Sequence, residues 1–251
     1  MNKHLRLTRH GKVALVTMCR PPVNALDIEM LDEIDATFAA LENDEGVGAV
    51  VLTGERTVFS AGMNLKTTPN ANRIQQDEIL NAINRGFGRV FMMAKPTIAA
   101  VNGHAIAGGM ILLLATDHRI ATEGEAQYGL TEVRVGIPFP VAAIEIARAQ
   151  LAPPVLRDMV LFGQNMDSKA ALSCGVVDAL APYDEVLSLA MAKAEACLEI
   201  PPDGYAKVKQ QLHGAAWMKI RAAIEGEDPA LGNWLSEEAK AAAAAVLAGT
   251  A

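Results

Sequence analysis

The sequence has few of the residues that would tie it to a disulfide framework, a membrane or a nucleic acid. It has three cysteines in 251 residues, and no two of them stand at the spacing of metal ligands. Its longest apolar run, 105–115, is far shorter than the roughly 20 residues of a membrane-spanning helix. The net charge is −7, without runs of lysine or arginine. We therefore expect a cytoplasmic protein with no membrane, nucleic acid or metal among its partners.

The composition is that of a chain that folds around a core. Apolar residues make up 51% and charged residues 20% of the sequence. Runs rich in β-branched residues predict strands at about 12–18, 47–53, 97–101 and 118–122. Apolar residues at helical spacing predict helices at about 27–42, 74–93, 110–115 and 141–151, and mostly helices after 153. This order predicts an α/β core followed by a helical tail, which either folds back on the core or packs against another subunit.

Two glycine-containing loops follow apolar segments, at 60–63 (SAGM) and 107–109 (AGG). Glycine allows a backbone to approach a ligand closely. The second loop opens a predicted helix, whose first N–H groups suit a developing anion. Neither loop matches a phosphate-binding P-loop or a dinucleotide-binding glycine motif. The pattern alone favours ordinary tight turns.

Four segments give the chain a resemblance to a known family. In order, they are 20–26 (RPPVNAL), 58–66 (VFSAGMNLK), 101–109 (VNGHAIAGG) and 117–121 (DHRIA). Their order and spacing resemble the crotonase (enoyl-CoA hydratase/isomerase) superfamily over about residues 5–180. The resemblance implies a spiral of ββα units in a core of residues 1–180 that binds acyl-CoA. It also implies a helical C-terminal region, 181–251, that builds a homotrimer or a dimer of trimers. Coenzyme A would enter as part of the substrate, with no separate cofactor.

The resemblance also assigns roles to individual residues. In this family two backbone N–H groups hold the thioester oxygen, and the matching positions are Met63 and Gly108. Arg20 and Lys66 match positions that could bind the CoA phosphates, with solvated surface cations as an equal alternative. Further contacts to CoA or the substrate are implied at Val23, Ala25, Ala61, Asn64, Leu65 and Ile137.

The carboxylates distinguish the reactions of the family. Hydratases use two glutamates, and the first of these positions is Ile111 here, which lacks a carboxylate. Glu132 matches the second, so the chain resembles the single-glutamate Δ3,Δ2-enoyl-CoA isomerases, in which one carboxylate moves a proton from C2 to C4. An apolar pocket would raise the pKa of Glu132, which suits a group that must take and give a proton. Without the resemblance, the pattern indicates a surface glutamate.

Three other positions are weaker candidates. Glu145 lies in an apolar helix and either faces the same pocket or pairs with a neighbour such as Arg148 or Arg119. His104 either assists or is a packed, hydrogen-bonded histidine. Pro140 stands where related dienoyl-CoA isomerases have an aspartate, which disfavours that activity.

The preferred activity is therefore enoyl-CoA isomerisation. The alternatives are a weak 2-enoyl-CoA hydratase, a hydrolase of acyl-CoA or of C–C bonds on the same fold, and a catalytically silent acyl-CoA-binding protein. The loop 67–72 and the helix after it are expected to shape the acyl pocket, but the residues do not indicate the length of the acyl chain.

Overall fold

The computed structural model describes residues 3–64 and 71–248, in which two β-sheets are surrounded by helices. The strands are β1 (Leu5–His10), β2 (Val13–Met18), β3 (Ala49–Gly54), β4 (Val58–Ser60), β5 (Thr97–Val101), β6 (His104–Ile106), β7 (His118–Thr122), β8 (Gln127–Gly129), β9 (Asn165–Asp167) and β10 (Ala179–Ala181). The helices are α1 (Ile28–Asn43), α2 (Arg73–Met92), α3 (Gly108–Leu114), α4 (Val141–Gln150), α5 (Pro153–Phe162), α6 (Ser168–Ser173), α7 (Val186–Cys197), α8 (Pro202–Ala222) and α9 (Glu237–Ala248). A 3₁₀ turn spans Glu132–Val135 and a π turn spans Ala223–Glu227.

The two sheets are built from strands that alternate along the chain. The larger sheet has the order β1-β2-β3-β5-β7-β10, with β1 antiparallel to β2 and the other pairs parallel. The smaller sheet has the order β4-β6-β8-β9, with β9 antiparallel to β8. Each of the pairs β3–β4, β5–β6 and β7–β8 thus places one strand in each sheet before the chain continues into α2, α3 or α4. The predicted α/β class and its repeated ββα units are confirmed.

Both faces of the larger sheet are buried, because alternate side chains of a strand point to opposite faces. On one face Val16, Val50 and Leu52 belong to the main core with α1 and α2. On the other face Val13, Val51 and Ile98 pack with residues of α7. Of the two placements left open for the tail, α7 therefore folds back on the core.

The long predicted elements are present, with ends set by caps. Asp27 caps α1, where its side chain accepts a hydrogen bond from Met30 N at 3.0 Å. Asn72 and Gln75 form a capping box at the start of α2. The three-residue strands and β1 were not predicted, because such segments are too short or too exposed to show a periodic pattern. The tail is less helical than expected, since β9, β10 and the irregular residues 228–236 interrupt it.

Within residues 3–64 and 71–248, no helix has both the length and the apolar character needed to cross a bilayer.

Candidate active site

The two glycine-containing loops meet beyond the ends of β4 and β6. These strands pair in parallel, so the residues that follow them emerge side by side. Gly62 has a φ of +81°, which favours glycine, and a Cβ atom there would lie 2.9 Å from the backbone nitrogen of Gly108. The first loop can therefore approach the second only because position 62 has no side chain.

The first loop is held by the segment that precedes α1. Leu26 N donates to Gly62 O at 2.8 Å, and Asn64 N donates to Leu26 O at 2.7 Å. Met63 thus sits in a parallel bridge opposite Leu26, between the two residues that make the hydrogen bonds. In such a bridge the N–H of the middle residue lies on the side away from the partner. The Met63 N–H is therefore free of the Leu26 segment.

The second loop turns sharply into α3. Ala107 has a φ of +51°, a left-handed value that is strained for a residue with a side chain, at a cost of order 1–3 kcal/mol. Its N–H donates to Gly129 O at 2.7 Å, and its carbonyl accepts from Ile111 N at 3.1 Å. Gly108 begins α3, so its N–H has no acceptor one turn earlier in the helix. Strain of this kind is concentrated at functional sites.

A cavity of about 520 Å³ lies against both loops. Met63 and Gly108 line it, with Ile83 and Phe87 of α2 and Ile111 of α3. Its remaining wall comes from the 3₁₀ turn, the residues that follow it, and Trp234. The cavity has the size of a small-molecule site and is mostly apolar.

Glu132, the first residue of the 3₁₀ turn, brings a carboxyl group to this cavity. The residue as a whole is partly exposed, but its Oε2 atom is buried and has no hydrogen-bond partner in the described part of the chain. Burial raises the pKa of Glu132 to about 7, against a smaller opposing effect of a hydrogen bond from its own backbone. The group can therefore exchange a proton near neutral pH.

Comparison with known proteins identifies the family. The family model for enoyl-CoA hydratase/isomerase matches residues 8–245. The chain belongs to the enoyl-CoA hydratase/isomerase family. Short-chain-enoyl-CoA hydratase of Clostridium acetobutylicum is 31% identical over 234 residues, which cover 92% of this chain and 89% of the relative.

Solved structures extend this family likeness to the fold. The apo structure of an enoyl-CoA isomerase of Mycobacterium tuberculosis is 29% identical, with a TM-score of 0.82 over 90% of this chain and 98% of the other. Human mitochondrial Δ3-Δ2-enoyl-CoA isomerase has a TM-score of 0.93 over 98% of each chain. At 23% identity, the human protein shows a shared fold and no more. The predicted family and fold are confirmed.

Among the described residues that line the cavity, Glu132 carries the only carboxylate and Arg134 carries the only positive charge. Ile111, which the family resemblance matches to the first glutamate of hydratases, is fully buried against the cavity. Pro140, which the family resemblance matches to the aspartate of dienoyl-CoA isomerases, also lines the cavity. The described walls therefore place a single acidic group beside the two loops.

The residues predicted to contact CoA or the substrate lie in three settings. Ala61 and Ile137 line the cavity. Val23 and Ala25 lie behind the first loop, where Val23 O accepts from Ala61 N at 3.0 Å. Asn64 follows Met63 in the same loop. Leu65 and Lys66 fall outside the described residues.

Arg20 is engaged within the fold. Its guanidinium group donates to Ala25 O at 2.9 Å and forms an ion pair with Asp27, the cap of α1. Its side chain is 20% exposed, so the group is largely committed to holding the segment before α1. A contact of Arg20 with the CoA phosphates stays a prediction.

Two weaker candidates lie away from the cavity wall. Glu145 is buried and pairs with Arg148 at 2.7 Å and with Lys219 at 3.0 Å. Of the two alternatives given for it, pairing with a neighbour such as Arg148 is therefore the one observed. His104 is exposed, and its Nδ1 atom accepts from Gln127 N at 3.0 Å. Neither residue is among those that line the cavity.

The sequence analysis missed Trp234 as part of the wall of the site. Trp234 lines the cavity together with Ile83 and Phe87 of α2. The helix after residues 67–72 was expected to shape an acyl pocket, and α2 does line the cavity, whereas residues 67–70 lie outside the described residues. Trp234 lies in an irregular segment of the tail, and no pattern in the sequence linked it to Ile83 or Phe87.

Proposed function

We propose that this protein shifts the double bond of a 3-enoyl-CoA to give the 2-enoyl-CoA. Glu132 is the proton shuttle, and the backbone N–H groups of Met63 and Gly108 hold the thioester oxygen. The observation that carries this proposal is that Glu132 supplies the one carboxyl group among the described residues lining an apolar cavity that both loops border, and that its Oε2 atom is buried with no hydrogen-bond partner in the described part of the chain.

The reaction needs one carboxylate in two successive steps. Ionised Glu132 takes a proton from C2, and the C–H electron pair forms a C1–C2 double bond as the thioester oxygen becomes an oxyanion. The oxyanion then returns its electrons to re-form the carbonyl group. The C1–C2 pair moves to C2–C3, and the former C3–C4 pair takes the proton back from Glu132 at C4. Atoms and charge balance without a water molecule.

Two features of the site support these steps. A carboxyl group with a pKa of about 7 is ionised often enough to act as a base and is acidic enough in its protonated form to return the proton. Loss of one backbone donor to an oxyanion costs on the order of 100- to 1,000-fold in rate in other enzymes. The close contact between Gly62 and Gly108 would keep the two donors near each other.

Hydration of a 2-enoyl-CoA is the second candidate. It is supported by the 31% identity to a short-chain-enoyl-CoA hydratase. It requires a water molecule to be activated and a proton to be delivered, and Ile111 offers no group for the second task. A hydratase would therefore depend on Glu132 alone with an ordered water.

We further propose that an acyl-CoA is the partner and that the protein is a homotrimer or a dimer of trimers. Exposed apolar side chains of α5 and α8, such as Phe162, Val208 and Leu212, supply surface that self-association would cover. A monomer at micromolar concentration would contradict the proposed assembly. The cytoplasmic location and the absence of a bound metal stay predictions.

The Glu132→Gln variant tests the isomerase directly. We expect its turnover of a 3-enoyl-CoA to fall by at least about 100-fold, because the amide cannot accept the C2 proton. Its affinity for a saturated acyl-CoA should stay within about threefold, since the amide has nearly the same shape.

Glu145→Gln is the matched control, because Glu145 is a buried glutamate that is not among the residues that line the cavity. It should keep most of the wild-type turnover. Equal activity of wild type and Glu132→Gln would refute the role of Glu132. In a parallel assay, hydration of 2-enoyl-CoA faster than isomerisation would establish the hydratase instead.

A further inference from the structure

Residues 228–235, the C-terminal strap, run along α2 in the opposite direction. Asp228 Oδ2 accepts from Asn84 Nδ2 at 2.8 Å. Gly232 N then donates to Asp77 Oδ1 at 2.6 Å, and Leu235 N donates to Gln76 Oε1 at 3.0 Å. The strap is therefore fixed to α2 at three points, and it ends beside the first turns of that helix.

The strap is also attached to the residues that follow Glu132. The indole Nε1 of Trp234 donates to Pro138 O at 2.8 Å. Asp228 Oδ2 accepts a second hydrogen bond, from Val141 N at the start of α4. Trp234 is only 3% exposed and spans the space between α2 and this loop. Its position is thus set from both sides.

Contacts at different positions along α2 show which part of the cavity lies near the second loop and which part lies near Trp234. Phe87 lies beside the second loop, since a Cβ atom on Gly108 would be 3.3 Å from Phe87 Cζ. Gln76 precedes Phe87 by three helical turns, roughly 16 Å at 1.5 Å per residue. Because Leu235 binds Gln76, the neighbouring Trp234 lies toward the far end of α2 from Phe87. One cavity touches both Phe87 and Trp234.

We infer that Trp234 forms the closed end of the acyl pocket and sets the longest acyl chain that the protein accepts. This inference rests on the proposed acyl-CoA function. The thioester lies at the Met63 and Gly108 end, and the acyl chain runs past Ile83 toward the indole ring.

The substrate class that fits is an apolar, medium-length acyl chain. Each methylene group that enters the cavity should raise the affinity roughly fourfold. The gain ends where the chain meets Trp234, because a longer chain must displace an indole ring that is buried and hydrogen-bonded to Pro138. Very long chains therefore gain nothing from their last methylene groups.

Binding of saturated acyl-CoAs by calorimetry tests this inference without any turnover. For the wild type we expect tighter binding of octanoyl-CoA than of butanoyl-CoA, and no further gain for hexadecanoyl-CoA. In Trp234→Ala the ratio of hexadecanoyl-CoA to octanoyl-CoA affinity should rise at least about tenfold. Trp234→Leu should raise the same ratio by a smaller factor. Because it keeps an apolar side chain in the strap, it can be used if the alanine variant does not fold.

Trp217→Leu is the matched control for Trp234→Leu. Trp217 is the other tryptophan, is 6% exposed, and is not among the residues that line the cavity. It should keep the wild-type affinity ratio. An unchanged ratio in a folded Trp234 variant, or an equal change in Trp217→Leu, would overturn the role of Trp234.

The outcomes separate this inference from the proposed function. If the Trp234 variants keep normal isomerase activity and the same dependence of affinity on acyl-chain length, only the proposed role of Trp234 is refuted. The expected length profile together with an active Glu132→Gln variant would refute the proton shuttle alone. No binding of any acyl-CoA would refute both.

Discussion

At the scale of single residues, Glu132 is where stability and chemistry oppose each other. Its Oε2 atom is buried with no hydrogen-bond partner in the described part of the chain, and a carboxyl group in such an apolar site is costly to ionise. Its pKa rises from an ordinary 4.5 to about 7, so the folded protein holds this proton more tightly than the unfolded chain does. The ionised form that the proposed base requires is therefore the form that destabilises the fold.

This opposition predicts a pH-dependent effect of Glu132→Gln on stability. Between about pH 4.5 and about pH 7 the folded wild type binds more protons at Glu132 than the unfolded chain does, so its stability falls as the pH rises. Glutamine does not titrate. We expect the free energy of unfolding of the variant to increase relative to that of the wild type across this window, and the total increase to be at most about 3 kcal/mol at pH 8.

Urea unfolding of both proteins at pH 5 and pH 8 measures this difference. The comparison between the two proteins cancels the other titrating groups, which both contain. A difference in unfolding free energy that is the same at both pH values would show that the Glu132 carboxyl group is not held in an apolar environment.

Glu132 and Trp234 both line the cavity, but they differ in how far the sequence predicts them. Glu132 was found through a family resemblance, while its own neighbours, Val133 and Arg134, are exposed and indicate a surface turn. Its burial arises from residues distant in the sequence. Trp234 had no such resemblance to mark it, and its place depends on hydrogen bonds to Pro138 and to α2 through Leu235.

At the scale of elements, α2 connects the parts of the site. Its residues contact the second loop, line the cavity and fix the strap. Glycines let other helices come close to it: a Cβ atom on Gly86 would lie 3.1 Å from Leu31 of α1, and one on Gly88 would lie 2.7 Å from Ile220 of α8. The first of these distances is tight, and the second is too short for an alanine without movement of α8.

A pair of glycine-to-alanine substitutions tests this packing. Gly88→Ala should destabilise the protein by roughly 1–3 kcal/mol, because the new methyl group overlaps Ile220. Gly214→Ala, within α8, should stabilise it by up to about 1 kcal/mol, because a Cβ atom there would meet no described atom within 4 Å beyond its chain neighbours and the backbone of its own helix, and alanine favours a helix. Urea unfolding of both variants measures the two effects, and equal effects in the two variants would mean that helix propensity rather than the α2–α8 contact decides them.

Elements differ in how well the sequence predicts them. α1 and α2 are long and capped, so their periodic patterns of apolar residues were enough to predict them. β4, β6 and β8 have three residues each, and their directions are set by pairing within the second sheet. The site stands at the ends of these short strands, so the sequence could name its residues through the family but could not derive their meeting point from periodicity.

At the scale of the whole molecule, the helical C-terminal region completes structures that begin in the core. Val186 and Ala190 of α7 cover one face of the larger sheet. Trp234 of the strap lines the cavity that lies against the two loops. We therefore propose that residues 1–180 and 181–251, although different in composition, unfold together.

Urea unfolding followed by two probes tests this proposal on the full chain. Both tryptophans, Trp217 and Trp234, lie in the C-terminal region, so fluorescence reports on that region while far-ultraviolet circular dichroism reports on the whole chain. We expect the two transitions to coincide, as a single cooperative unit requires. A fluorescence transition at lower urea would mean that the C-terminal region detaches while the core stays folded.

The same experiment at several protein concentrations tests the proposed trimer. Association stabilises the folded state by mass action, so the midpoint should rise as the protein concentration increases. A midpoint that does not depend on concentration, with the two probes still coincident, would leave the chain as one cooperative unit but would remove the trimer from its stability. In that case the exposed apolar side chains of α5 and α8 would need another explanation than contact between copies of this chain.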